Sequence, residues 1–326
     1  MAFVPIGSEF KVNTYTTNTQ RGPVIAVDSS GNFVVTWTSY GQDGFDDGIY
    51  AQRYNSAGAA LGSEFKVNTH TTSNQLNPAI AVDPSGNFVI TWNSQAQDGS
   101  GTGIHAQRYN SVGVAQGSEF LVNTFTTSNQ FIPAIAVDSS GNFVVTWSSQ
   151  VQDGFGYGIY AQRYNSAGAA QGSEFKVNTF TTGTQRNPSI AVDPSGNFVV
   201  TWNSRYQDGS DYGIYAQRFA DVVVGITVTP TSGLVTTEAG GTASFTVVLN
   251  TQPTADVTIP LSSSDTTEGT VSQTSLTFTS ANWNTAQTVN VTGVDDLVVD
   301  GNIAYQIVTG AATSTDTNYS GFNASD

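Results

Sequence analysis

Four short segments of alternating apolar and polar residues recur along the first two thirds of the chain at constant spacing. The segment GSEFKVNT begins at Gly7 and returns at Gly62 and Gly172, with GSEFLVNT at Gly117, so the period is 55 residues. In the first period the strand-like segments are EFKVNT, PVIAVD, NFVVTWTS and GIYAQRYN, joined by DSSGN, QDGFDDG and NSAGAALG. Alternation bounded by Gly, Asn and Asp is typical of strands and hairpins.

This repeat predicts a four-bladed β-propeller over residues 1–221, because four strands in about 40–55 residues are typical of a propeller blade. The chain opens with GSEFKVNT, and its last repeat stops at GIYAQRFAD with no GSEFKVNT after it. In the other repeats these two segments read as one hairpin. We therefore predict that Glu9–Thr14 pairs with Ile214–Phe219 and closes the ring.

Residues 222–326 follow a different pattern, with strand-like segments at shorter spacing. They include SFTVVLN, DVTIPLS, SLTFT, QTVNVTG and AYQIVTG. Period-2 alternation in several short strands predicts a β-sandwich of the immunoglobulin-like class. The segment ends at GFNASD, where such a sandwich usually has one more strand, so we expect this domain to be truncated.

Composition agrees with an all-β chain and limits the partners. The 326 residues include 33 Gly, no Cys and a formal net charge of −15, which disfavours nucleic acid as a ligand. All Lys and Arg lie between Lys11 and Arg218, so the second domain is purely acidic. No apolar run approaches a membrane span, and MAFVPIGSEF does not resemble a secretory signal.

Both halves resemble known families. The repeated motifs GNFVVTW, GIYAQRY and GSEFKVNT resemble repeats of large bacterial surface and adhesin-like proteins. This resemblance implies an extracellular or cell-surface location. The segments TTEAGGTASFTVVLN, SLTFTSANWNTAQTVNVTGVDD and VDDLVVDG resemble Calx-β domains. That resemblance implies a calcium site, whose ligands by position would be Glu238, Asp265, Asp295, Asp296 and Asp300.

The segment DSSGNFVVTW brings an acid and a Trp together in every repeat. We interpret Asp28, Asp83, Asp138 and Asp193 as turn residues that accept hydrogen bonds from their own turns. The Trp residues share a strand face with Phe and Val, which favours packing between blades over an aromatic platform for sugars, although both interpretations stay open. They are Trp37, Trp92, Trp147 and Trp202.

The QDG loops are the stronger ligand-binding candidates. The residues that follow them differ between copies (FDDG, SGTG, FGYG and SDYG), as recognition loops on a constant scaffold do, although drift in exposed loops gives the same picture. The candidate residues are Gln42, Asp43, Gln97, Asp98, Gln152, Asp153, Gln207 and Asp208.

From these features we expect a non-catalytic extracellular binding or adhesion module that recognises a surface glycan or another cell-surface ligand at several loops. The two His residues occupy positions where other repeats have Tyr or Phe, and no nucleophile motif or phosphate loop is present. We therefore expect no enzyme. The alternatives are a purely structural segment of a large surface protein and, less favoured, a polysaccharide hydrolase with its site on the ring axis.

Overall fold

A computed structural model describes residues 4–220, 224–295 and 301–324, and all regular elements in these ranges are β-strands. The all-β prediction is confirmed. The chain divides into two compact units, Met1–Asp221 and Val222–Asp326, which are described separately below.

The first unit contains four antiparallel sheets, one for each repeat, which we call blades 1 to 4. Blade 1 consists of β1 (Gln20–Val27), β2 (Phe33–Tyr40), β3 (Asp47–Tyr54) and β4 (Phe65–Lys66). Blade 2 consists of β5 (Gln75–Val82), β6 (Phe88–Gln95), β7 (Thr102–Tyr109) and β8 (Phe120–Leu121). Blade 3 consists of β9 (Gln130–Val137), β10 (Phe143–Gln150), β11 (Tyr157–Tyr164) and β12 (Ala170–Lys176). Blade 4 consists of β13 (Gln185–Val192), β14 (Phe198–Arg205) and β15 (Tyr212–Phe219).

The first strand of each blade begins before the segment of alternating apolar residues that predicted it, because the strand contains a bulge. In blade 1 the pairing of β1 with β2 shifts between Arg21 and Val24. The residue before the bulge proline has positive φ in every blade: Gly22 (+61°), Asn77 (+54°), Ile132 (+55°) and Asn187 (+57°). Proline suits the unpaired position of a bulge because it has no N–H to leave unsatisfied.

Consecutive blades pack face to face. Blade 1 turns one face toward blade 2. We call this the leading face of a blade, and the opposite face its trailing face. The buried hydrophobic residues of the leading face of blade 1 are Val34, Ile49, Ala51 and Val67. They pack against the trailing face of blade 2, where the contacts are Ile80, Phe88, Ile90, Trp92 and Tyr109. Equivalent clusters join blade 2 to blade 3 and blade 3 to blade 4. Both faces of blades 2 and 3 are therefore covered, as a propeller requires.

The predicted ring closure is wrong. Blade 4 has three strands, and within residues 4–19 the described chain contains no strand that pairs with β15. The N-terminal segment instead binds blade 1: the Phe10 ring lies 5.3 Å from that of Tyr54, and the Tyr54 hydroxyl donates to the Val12 carbonyl at 3.2 Å. The same strand type is only two residues long in β4 and β8. Side-chain contacts with blade 1, rather than backbone pairing with blade 4, hold the N-terminal segment.

The second unit is a β-sandwich of two sheets. The strands are β16 (Ile226–Thr229), β17 (Thr242–Leu249), β18 (Val257–Ser263), β19 (Gly269–Val271), β20 (Ser275–Phe278), β21 (Gln287–Gly293) and β22 (Ile307–Thr309). One sheet has the order β16-β17-β21-β19 and the other β20-β18-β22. Alternate residues from both sheets, such as Phe245, Val247, Ile259 and Val289, form one buried core.

Candidate functional site

Each blade carries a cluster of polar and aromatic side chains where its second strand turns into its third. We call it the QDG cluster and define it by the Gln and Asp of the QDG loop, the Trp of the second strand, the aromatic residue opposite that Trp, and the Glu of GSEF. The members are Gln42, Asp43, Trp37, Tyr50 and Glu64 in blade 1; Gln97, Asp98, Trp92, His105 and Glu119 in blade 2; and Gln152, Asp153, Trp147, Tyr160 and Glu174 in blade 3. Blade 4 supplies Gln207, Asp208, Trp202 and Tyr215.

Strand pairing and a glycine place the Asp. Trp37 lies opposite Tyr50, and Ser39 lies opposite Gly48, so all four positions share one face of blade 1. The Asp43 carboxylate folds over Gly48, where a Cβ would stand 2.8 Å from Oδ2; at Gly103 of blade 2 the corresponding distance is 2.5 Å. A side chain at this glycine would displace the acid. The Gly that precedes I-Y/H-A-Q-R in every repeat is therefore a positioning residue, which the sequence reasoning missed.

The Glu of GSEF joins the cluster through three hydrogen bonds. Gln42 Nε2 donates to Glu64 Oε1 at 2.5 Å, while Thr14 donates to Oε2 through its backbone N–H at 2.5 Å and its hydroxyl at 3.0 Å. Glu119 receives the same bonds from Gln97 and Thr69, and Glu174 receives them from Gln152 and Thr124. Each Glu thus connects a QDG loop with the chain segment that precedes its blade.

Several buried polar atoms of the clusters have no hydrogen-bond partner among the described residues. They are the Trp Nε1 and the Gln Oε1 of all four blades and the Asp Oδ2 of blades 1 to 3. Buried polar groups are usually paired, and an unpaired one costs about 1–3 kcal/mol. A hydroxyl group has a single hydrogen to donate, so pairing one N–H donor and two oxygen acceptors takes two hydroxyl groups or one water molecule. The set is therefore suited to a molecule with several hydroxyl groups, or to water.

In blades 1 and 3 the negative charges of the cluster's Asp and Glu both raise the pKa of its Tyr. Burial, and then the charges of Asp43 and Glu64, raise the pKa of Tyr50 to about 12. Burial and the charges of Asp153 and Glu174 raise the pKa of Tyr160 to about 12 in the same way. Both phenols therefore remain neutral hydrogen-bond donors at physiological pH.

Blade 2 differs because His105 replaces the Tyr. This ring lies 6.4 Å from the Trp92 ring and is 4% exposed. Burial lowers the pKa of His105, and the charges of Glu119 and Asp98 oppose that shift only in part. The imidazole is therefore neutral at pH 7.

Blade 4 has an incomplete cluster. The position 55 residues after Glu174 is Thr229, which belongs to β16 of the second unit. Within the described chain, no carboxylate contacts Gln207 or Thr179, the residues that correspond to Gln152 and Thr124. The structure thus assembles three full sets of the predicted QDG residues with a Glu, and one set without it.

The four Trp rings are buried against other side chains and do not form surface platforms. They are 0–5% exposed and present no face to solvent. Trp92, Trp147 and Trp202 pack in the inter-blade clusters, and Trp37 packs with Val35, Tyr50 and Tyr54. Their contribution to the clusters is the indole N–H.

The Asp turns line a second candidate site, a cavity of about 250 Å³ where the first strands of all four blades end. Each carboxylate is used by its own turn: Asp28 Oδ1 accepts from the N–H groups of Ser30 and Asn32, and Oδ2 accepts from the Asn32 amide. The Asn197 side chain, followed by backbone N–H groups, lowers the pKa of Asp193. These acids stabilise turns, so the QDG clusters remain the better candidates for chemistry.

The predicted calcium ligands are only partly within the described residues. Glu238 and Asp295 are exposed, and Asp265 Oδ1 accepts hydrogen bonds from the Thr267 N–H and hydroxyl at 3.0 and 2.6 Å. Asp296 and Asp300 lie outside the described residues. Among the residues that are described, no three His, Cys, Asp or Glu side chains form a group that could hold a metal ion.

No protein-family model matches the chain, and no curated protein matches it. Similar folds occur among solved structures. An endo-arabinase from Bacteroides thetaiotaomicron is 14% identical, with 61% of this chain and 74% of that chain covered and a TM-score of 0.38. An endo-1,4-beta-xylanase from the same organism is 10% identical, with 63% of this chain and 73% of that chain covered and a TM-score of 0.39. An alpha-L-arabinofuranosidase of Fusarium graminearum is 12% identical, with 69% of this chain and 76% of that chain covered and a TM-score of 0.41.

These matches overturn two expectations from the sequence, that the chain is a non-catalytic binding or adhesion module and that it is not an enzyme. The three solved structures named above are an arabinase, a xylanase and an arabinofuranosidase, which are enzymes that act on carbohydrate. At these identities and TM-scores the likeness concerns the fold, and no residue role is carried over from it.

In the described part of the chain, no helix is long and apolar enough to cross a membrane. The resemblances to adhesin repeats and Calx-β domains stay predictions.

Proposed function

We propose that this chain hydrolyses a polysaccharide at the QDG clusters of blades 1 to 3. The observation that carries the proposal is the repeated pair of carboxylates, Asp43 with Glu64 and their equivalents, gathered around one Gln and one aromatic side chain. Glycosidases generally use two carboxyl groups that flank the scissile bond, one as acid and the other as nucleophile or base. The unpaired N–H and oxygen atoms beside them suit sugar hydroxyls.

The hydrogen bonds suggest different roles for the two acids. Glu64 is fixed by Gln42 and Thr14 and is therefore assigned to the anomeric carbon, where a nucleophile or base needs a constant position. Asp43 Oδ2 has no partner among the described residues, so it is assigned to the leaving-group oxygen, to which a general acid must hydrogen bond. Several equivalent sites on one rigid unit favour a polymeric substrate, because one chain can engage more than one site.

The test is release of reducing ends from a panel of polysaccharides, beginning with arabinan and xylan, which the names of the similar structures suggest. The combined variant Asp43→Asn, Asp98→Asn and Asp153→Asn should lose at least about 100-fold in rate, the usual contribution of a general acid. Each single variant should lose about one third, because three equivalent sites share the work.

A matched control lies in the same loop. Asp46 is exposed and its side chain makes no hydrogen bond within the described residues, so Asp46→Asn should leave the rate unchanged. Unfolding temperature and circular dichroism establish that the variants fold. No release of reducing ends from any polysaccharide by the unaltered protein, or full activity in the triple variant, would refute the proposal.

A further inference from the structure

Equivalent apolar positions differ sharply in exposure at the two ends of the blade series. Ile214 of β15 is 74% exposed, whereas Ile49, Ile104 and Ile159, at the same position of blades 1 to 3, are 0% exposed. Ile25 of β1 is 62% exposed, whereas Ile80 and Ile135 are 8% and 9% exposed. The leading face of blade 4 and the β1 part of the trailing face of blade 1, at Ile25 and Val27, are therefore uncovered. The rest of that trailing face, including Val35, Trp37 and Tyr54, is buried in the single chain.

We propose that the leading face of blade 4 binds the trailing face of blade 1 of a second copy of this chain. The molecule already contains this interface three times, between blades 1 and 2, 2 and 3, and 3 and 4. Val199, Ile214 and Ala216 repeat Val34, Ile49 and Ala51, so blade 4 offers the surface that blade 1 uses on blade 2. The inference concerns assembly and does not depend on the proposed reaction.

The edge strand of blade 4 has a matching partner. In blades 1 to 3 the third strand pairs with the GSEF segment in one register, in which Ala51 faces Phe65 and Tyr50 faces Lys66. Repetition places Ala216 opposite Phe10 and Tyr215 opposite Lys11 of the second copy. An exposed edge strand is a template for pairing with another chain.

The N-terminal segment is already held in the geometry that this pairing needs. Asn13 donates to the Tyr15 carbonyl and to Gln20 Oε1, as Asn68 does to His70 and Gln75. Asn68 Oδ1 also accepts the N–H of Ile49 at 2.7 Å, but in the described chain no group donates to Asn13 Oδ1. The N–H of Ile214 from the second copy is the donor that repetition assigns to it.

The contact would also complete the fourth QDG cluster. Glu9 occupies the repeat position of Glu64, Glu119 and Glu174. On a second copy it reaches the place where Gln207 and Thr179 lack the carboxylate that their equivalents contact in blades 1 to 3. The interface thus satisfies polar groups as well as covering apolar surface.

Because the two faces lie on different blades, the contact is heterologous, and a second contact of the same kind between two copies closes a ring. The mass of the full chain in solution is the first test. Light scattering across a dilution series should show a species of at least twice the 34.3 kDa of one chain. Ile214→Lys should weaken this association at least about tenfold, as removal of a central interface residue does.

A matched control distinguishes the interface from a general effect of added charge. Val235→Lys introduces the same charge at a residue of the second unit that is 76% exposed, close to the 74% of Ile214. This variant should associate as the unaltered chain does. Both substituted side chains are exposed in the single chain, so neither change should lower its unfolding temperature appreciably.

Cross-linking identifies which strands meet. The chain has no Cys, so Phe10→Cys and Ala216→Cys each supply a single thiol. Opposite residues of antiparallel strands lie about 4.5–5.5 Å apart at Cα, within the range of a disulfide. A size-tagged Phe10→Cys chain mixed with an untagged Ala216→Cys chain should form the mixed disulfide on oxidation, in preference to either homodimer.

Two outcomes would overturn the proposal. In the first, mixed chains do not cross-link, and a chain that carries both Phe10→Cys and Ala216→Cys forms an internal disulfide at high dilution, so blade 4 meets blade 1 of its own chain. In the second, the chain is monomeric at every concentration and neither disulfide forms, so the faces remain uncovered or bind something else.

Discussion

Blades 2 and 4 have nearly the same sequence but different surroundings. Strand β7, TGIHAQRY, is buried along almost its whole length, whereas β15, YGIYAQRF, is largely exposed or half-exposed. The strands pair with their neighbours in the same register, Trp92 opposite His105 and Trp202 opposite Tyr215. Residue type therefore sets the local strand geometry, while the presence of a following blade sets burial. Repeat proteins stabilise each unit mainly through its nearest neighbours in this way.

The largest expected difference is the cost of removing the same isoleucine from the two blades. Ile104→Ala should lower the free energy of unfolding by about 2–5 kcal/mol, because it leaves a cavity in a packed interface. Ile214→Ala should change it by no more than about 0.5 kcal/mol in the single chain, because this side chain is already exposed. Urea unfolding at a concentration where the chain is monomeric measures both. Equal losses would show that blade 4 is covered.

The strands could be predicted because alternation and turn residues carry their own signal. NFVVTWTS corresponds to β2, and QTVNVTG is β21. The first strand of each blade begins before its alternating segment, because a bulge at Arg21–Val24 breaks the period that the prediction used. The GSEF strands are shorter than predicted in blades 1 and 2, where each has two residues. Their Glu and Asn side chains accept the same hydrogen bonds as in blade 3, where β12 has seven residues, so these bonds do not set the strand length.

The ring closure and part of the site could not be predicted, for one physical reason. Repetition shows which segment can pair with which, but not whether both belong to one chain. Loop variation distinguishes the QDG residues in the sequence, whereas Glu64 and Gly48 lie in segments that are nearly constant between repeats. Both signals were present: a Glu in every GSEF and a Gly before every I-Y/H-A-Q-R. Their importance appears only when the loop folds over the strand.

The second expected difference concerns the Asn residues that connect successive blades. Asn123 Oδ1 accepts the N–H of Ile104 at 2.6 Å, and its amide donates to the Phe125 carbonyl at 3.0 Å. Asn123→Ala leaves a buried backbone N–H unpaired and should cost about 1–3 kcal/mol. Asn13→Ala should cost about 0.5–1.5 kcal/mol, because Asn13 only donates within the described chain. Denaturant unfolding of the two variants measures the difference, and a larger loss for Asn13 would contradict it.

The smallest expected difference separates blade 2 from blades 1 and 3 and depends on pH. Burial holds the pKa of His105 below its ordinary value of 6.5, so the unfolded chain takes up this proton before the folded chain does. The contribution of the neutral His105 to the free energy of unfolding is fully present above pH 6.5. It is lost as the pH falls below 6.5, by at most about 1.4 kcal/mol per pH unit. His105→Tyr introduces the residue of blades 1 and 3 and should remove this part of the acid sensitivity. Thermal unfolding of both proteins between about pH 8 and about pH 5 measures it, and parallel curves would show that His105 does not titrate differently on folding.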